Sequence, residues 1–160
     1  MVDQQPSNDA ERFMRLVRAE ERGRLTVYLG AAPGVGKTYR MLQDAARRQA
    51  EGVDVVVGVA ETHGRSETAL LLEPLEVMPR RQYDHEGHRL EEFDIDPALE
   101  RRPQLILVDE LAHTNAPGCR HPKRWQDVAE LLVSGIDVAT TINIQHLESL
   151  NDIVAGVTHV

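Results

Sequence analysis

Four short apolar runs, rich in β-branched residues and separated by helical or polar stretches, constrain the fold of this chain most. They are "LTVYL" (25–29), "VDVVVGVA" (53–60), "QLILVDE" (104–110) and "IDVATTINI" (136–144). Continuous apolar runs suit strands buried on both faces, as in a parallel sheet. Between them lie a stretch of helical pattern from about Lys37 to Ala50, with Gly52 beyond it, and "HPKRWQDVAELLVSG". The second puts Trp125, Val128, Leu131 and Leu132 on one side of a helix. Strands alternating with helices predict an α/β fold with a mainly parallel sheet and right-handed crossovers.

The remaining segments are read more coarsely. Residues 1–9 form a loose polar terminus, and Ala10 to Arg22 an amphipathic helix carrying Phe13, Leu16 and Val17, ended by Gly23. Residues 1–22 are thus a tail and helix ahead of a single domain at 23–160, a size that suits one core. After the second run come a loop, a short helix and a break at Pro74. Residues 79–96 are polar and irregular, with room for a small strand pair around Gly87. "DPALERR" is read as a helix entered at Asp96-Pro97, with Asp as cap and Pro in the first turn. "QHLESLNDIVAG" begins a last helix.

Between the first run and the helix after it lies "GAAPGVGKT". The phosphate-loop pattern G-x-x-x-x-G-K-[ST], placed on Gly36-Lys37-Thr38, puts Ala31 in its first position, with Gly30 one residue too early. The rest fits: Ala31, Ala32, Pro33, Gly34 and Val35 form the turn, and Gly36 leaves room for phosphate to approach the backbone. Lys37 reaches the β- and γ-phosphates and the Thr38 hydroxyl ligates Mg²⁺. The helix that starts here aims its free N–H groups and positive dipole end at the anion. Ala31 is the least costly replacement for the first glycine, though strained if φ there had to be positive. These residues predict a three-layer P-loop NTPase-like fold binding ATP with Mg²⁺.

The usual partner of such a loop is a hydrophobic strand ending in an acid, here "LILVDE". Asp109 is expected to hold Mg²⁺ through water, and Glu110 to orient or deprotonate an attacking group, so that Glu110 and Lys37 are the candidate catalytic residues. Other polar residues end the neighbouring runs: Glu61, Thr62, His63 and Arg65 after the second, Thr141, Asn143, Gln145 and His146 after the fourth. Asn143 or Gln145 is placed to contact the γ-phosphate or a water. Within "LAHTNAPGCRHPKRW", Arg120 or Arg124 either supplies charge to the γ-phosphate from a mobile loop or pairs with the acidic body.

Composition excludes several classes. A net charge of −8 argues against a non-specific nucleic-acid binder, and for Arg80-Arg81 and Arg101-Arg102 a solvated surface is the preferred reading. Cys119 is the only cysteine, so no internal disulfide forms, which suits a reducing compartment. It reads as an ordinary thiol. No run approaches the roughly 20 apolar residues that cross a bilayer, so the chain reads as soluble and cytoplasmic, or as the soluble part of something larger. "HEGH" (85–88) puts two histidines three apart, but Gly87 discourages a helix and no further ligand pair is evident.

The blocks "GAAPGVGKTYRML", "ETHGRSETALLLEPLEVMPR", "EEFDIDPALERRPQLILVDELAHTNAPGCRHPKRWQDV" and "TTINIQHLESLND" together resemble the N-terminal cytoplasmic domain of the KdpD family, osmosensitive potassium-responsive sensor histidine kinases. The resemblance runs from about Arg24 to Asp152. It implies a regulatory ATP-binding domain within a two-component system that controls a high-affinity potassium uptake ATPase. It also implies placement as the cytoplasmic domain of a bacterial inner-membrane protein. Family members continue into a universal-stress-type domain, transmembrane helices and a histidine kinase core, none of which lies in these 160 residues. The implied partners are that kinase core in the same polypeptide and either the uptake ATPase or a response regulator. Ala31 belongs to the family's own form of the loop, whereas Cys119 stands where a small residue such as Ser is expected. A P-loop phosphotransferase or ATPase acting on a protein acceptor is the alternative reading.

Overall fold

The computed structural model describes residues 22–31 and 36–146. Apart from Arg22, the predicted helix at 10–22 lies outside them, as do loop residues 32–35; of the predicted last helix only Gln145 and His146 are described, and they belong to a 3-10 turn. All four apolar runs are strands of one five-stranded sheet. In chain order the elements are β1 (Leu25–Gly30), α1 (Lys37–Ala50), β2 (Val55–Val59), α2 (Ser66–Leu70), β3 (Glu76–Val77), β4 (Arg81–His85) and β5 (His88–Glu92). There follow α3 (Ile95–Arg101), β6 (Leu105–Val108), α4 (Arg124–Val133), β7 (Asp137–Asn143) and one 3-10 turn (Ile144–His146). The sheet order is β1-β7-β6-β2-β3, and every pairing in it is parallel.

Helices cover both faces, so alternate residues of each strand enter different cores. On one face Met41, Leu42 and Ala45 of α1 pack with Val55, Val57, Leu105, Leu107 and Ala139. On the other, Val128, Leu131 and Leu132 of α4 and Ala98 of α3 pack with Val56, Ile106, Val108 and Val138. Every residue of β2 and β6 is buried, as their unbroken apolar sequence predicts. Gly58 lets Phe93 in against β2: a Cβ there would lie 2.6 Å from the ring.

Two local expectations change. The third helix starts at Ile95 behind Asp94, not at Asp96, because Ile95 is buried and Pro97 is still within the first turn. A two-residue strand, β3, follows Pro74 where only a break was expected; it pairs with β2 beyond buried Leu75. The strand pair around Gly87 is present as the antiparallel β4–β5 ribbon, outside the main sheet.

Candidate functional site

The parallel sheet brings the C-terminal ends of β1, β7, β6 and β2 to one edge, where open α/β sheets hold their ligands. Register sets Asn143, the last residue of β7, beside Gly30, the last of β1. The two halves of the motif therefore flank β7. A cleft of about 320 Å³ opens at this edge, lined by Lys37, Thr38, Glu61, His63, Glu110 and Asn143 among others.

Gly36 has φ 76, a left-handed turn that suits glycine, and Lys37 is the first residue of α1. The apparently displaced Gly30 has a use of its own. A Cβ on it would lie 2.3 Å from Lys37 Cδ and 2.5 Å from Cγ, so the lysine stem crosses the backbone at Gly30. Ala31 is not among the residues with positive φ, and the strain considered for it does not arise.

Asp109 is fully buried at the end of β6. Its Oδ2 accepts from the Thr38 hydroxyl at 3.0 Å and from the Glu61 N–H at 2.9 Å. Its Oδ1 accepts from the Glu110 N–H at 3.1 Å and from the Thr141 hydroxyl. Both oxygens are thus satisfied by neutral donors, as a buried carboxylate requires. Thr38 and Asp109, 71 residues apart in sequence, meet directly. Their hydroxyl and carboxylate oxygens are the hard donors that Mg²⁺ prefers. With its oxygens already engaged, Asp109 fits a role through metal-bound water better than one as a direct ligand, and the Thr38 hydroxyl fits the direct position.

Glu110 is left-handed (φ 59), and His63 across the cleft is too (φ 50). Such backbone costs on the order of 1 kcal/mol in a non-glycine residue and concentrates at functional sites. The side chains meet, His63 Nε2 lying 3.5 Å from Glu110 Oε1. The Asn143 side-chain oxygen is buried with no hydrogen-bond partner among the described residues, and Asn143 lines the cleft wall. Gln145 is exposed on the turn that follows.

Both loop arginines are held by acids of the domain. Arg124 is 2% exposed; it donates to the Asp109 carbonyl at 2.9 Å and to Glu92 Oε2 at 3.3 Å. Burial pulls its guanidinium below the ordinary pKa, and Glu92, Glu110, Glu61 and Asp109 oppose that pull. Arg120 is held by Glu130 and Asp96. Among the earlier pairs, Arg80 donates to Glu61 at 3.1 Å and Arg101 binds Asp54 and Glu76. Burial raises the Cys119 thiol pKa, which fits an ordinary thiol.

Sequence reasoning missed Glu92. Buried at the end of β5, it receives Arg124, the Ala116 N–H at 3.1 Å and His113 Nε2 at 3.0 Å. No spacing links these residues, since the ribbon and the loop meet only in the fold. The one available signal was Arg124 itself, which shares the i, i+4, i+7 stripe with Val128 and Leu131.

A family model described as KdpD, osmosensitive K⁺ channel His kinase sensor domain, matches residues 21–160. The chain belongs to this KdpD sensor-domain family. It is 59% identical over 150 residues to the sensor protein KdpD of Escherichia coli (strain K12), a match covering 94% of this chain and 17% of that protein. It is 59% identical over 138 residues to the sensor protein KdpD of Mycobacterium tuberculosis (strain CDC 1551 / Oshkosh), covering 86% and 16%. A putative sensor protein KdpD of Synechocystis sp. is 55% identical over 139 residues, covering 87% and 38%. The KdpD segment here thus spans about a sixth of the first two relatives and under two fifths of the third. Among its described residues no helix is long and apolar enough to cross a membrane.

Proposed function

We propose that this KdpD sensor domain is a regulatory Mg-ATP-binding module of P-loop type. In this reading nucleotide occupancy biases a histidine kinase core carried elsewhere in the same polypeptide, within a two-component system controlling potassium uptake. The observation that carries it is the direct meeting of Thr38 and Asp109 beside Lys37 at the C-terminal edge of a parallel sheet. Ala31 to Gly36 would wrap the phosphates with backbone N–H groups, and Lys37 would supply positive charge to the β- and γ-phosphates. Thr38 would ligate Mg²⁺, Asp109 would hold it through water, and Asn143 would face the terminal phosphate or its water. Mg²⁺, when bound, supplies charge neutralisation between phosphate oxygens. Regulation requires that ATP bind two arrangements of the parent protein with different affinity.

The metal roles are tested by titrating ATP into wild type and Thr38→Val, with Mg²⁺ and with EDTA. The gain in affinity that Mg²⁺ gives wild type is expected to shrink in the variant, while affinity in EDTA stays the same. An equal Mg²⁺ gain in both proteins contradicts the assignment. Gly30→Ala is expected to lower ATP affinity more than stability, because its Cβ displaces the flexible Lys37 stem and not the backbone. Parallel binding and melting curves check this.

A second reading, a phosphotransferase or ATPase acting on a protein acceptor, is favoured by one observation: Glu110 is held left-handed over the cleft and paired with His63. Under it, Glu110→Gln retains ATP binding but lowers turnover or label transfer from γ-labelled ATP by about 100-fold. Turnover unchanged by Glu110→Gln leaves ATP as a bound signal only.

A further inference from the structure

The tip of the β4–β5 ribbon lies apart from the cleft and carries the "HEGH" stretch. There, Gly87 does not merely interrupt a helix. Glu86 and Gly87 are both left-handed, with φ 49 and 77, as a two-residue hairpin turn requires. The ladder then pairs His85 directly with His88. Directly opposed residues of an antiparallel pair share one face, with Cβ atoms about 4.5–5.5 Å apart. Both histidines are exposed. Glu86 adds negative charge, its carboxylate 3.9 Å from His85 Nε2, while Arg89 is turned toward Asp84 at 3.9 Å.

We propose that His85 and His88 form a two-imidazole site for a divalent transition-metal ion, with water in the remaining positions. Imidazole nitrogen selects Ni²⁺, Cu²⁺ and Zn²⁺ over Mg²⁺ and Ca²⁺, which take oxygen ligands. Two nitrogens on one tetrahedral zinc, each about 2.0–2.1 Å from it, lie about 3.3 Å apart. Opposed side chains span that distance by rotamer choice alone. No group of three candidate ligands occurs among the described residues, so within them only this pair is offered. The ribbon is fixed at its other end, where Glu92 binds His113, Arg124 and the Ala116 N–H, so the pair is presented on an anchored element. The site is separate from the proposed Mg²⁺ position and independent of nucleotide binding.

The test is titration of the protein with ZnCl₂ and NiCl₂, without nucleotide, followed by calorimetry and by the histidine ring signals in NMR. MgCl₂ serves as control. One ion per chain is expected, with both His85 and His88 rings perturbed, and no effect of Mg²⁺ on either. His85→Gln and His88→Gln, both at exposed positions, are each expected to weaken binding by about tenfold or more. The proposal is overturned if both rings stay unmoved at saturating Zn²⁺ and Ni²⁺. It is equally overturned if either variant binds within about twofold of wild type, since the ion then sits on other residues.

Discussion

Replacing Lys37 with alanine is expected to weaken Mg-ATP binding by about 10- to 100-fold. The variant loses a charged donor to phosphate, and one hydrogen bond to a charged group is worth about 1.5–3 kcal/mol. Each 1.4 kcal/mol is about tenfold in affinity. The effect should appear in binding, not in folding, because the Lys37 stem lies over Gly30 at the sheet edge and belongs to neither apolar core. Equilibrium titration with labelled ATP, alongside a melting curve, separates the two. Equal affinities for Lys37→Ala and wild type would remove the lysine from the site, and a matched fall in stability would make the loss structural.

Arg124→Ala should have the largest effect on stability. It leaves Glu92 buried without the guanidinium that neutralises its charge, and removes the donor to the Asp109 carbonyl. Breaking a buried ion pair from one side costs about 3–5 kcal/mol. For a domain of this size, about 2–4 °C per kcal/mol makes a fall in melting temperature of about 6–20 °C. The double variant Arg124→Met with Glu92→Leu should recover much of that loss, because apolar replacement of a whole buried pair is often neutral. A fall of only a degree or two for Arg124→Ala would mean that the pair contributes nothing to holding ribbon, loop and α4 together.

Different physical signals explain what the sequence disclosed. β2 and β6 were legible because burial on both faces leaves an unbroken apolar run, and α1 because its pattern spans four turns. β3 was not, since two residues carry no period, and the start of α3 moved because burial of Ile95 outweighed the Asp-Pro signal. The pairing of Thr38 with Asp109 could be anticipated because both belong to motifs readable in the sequence, and the fold brings the two together. The use of Gly30 was hidden, because it depends on where a side chain seven residues later lies. Glu92 was hidden for a similar reason: its partners come from a loop and a helix that meet it only in three dimensions. For Arg120 and Arg124 the sequence leaves phosphate contact and pairing with the acidic body both open; in the fold one is paired at the surface and the other is among the most buried residues of the domain. Helical spacing offers no site at "HEGH", whereas a hairpin sets its two histidines face to face.

The central claim, that the cleft at the sheet edge holds Mg-ATP, is tested most directly by calorimetric titration of the wild-type chain with ATP in Mg²⁺. The same titration is run in EDTA and with ADP. The predicted result is saturable binding of one nucleotide per chain, strengthened by Mg²⁺ and lost in Lys37→Ala. No saturable heat with ATP at millimolar concentration, or a binding curve identical in Lys37→Ala, would contradict it.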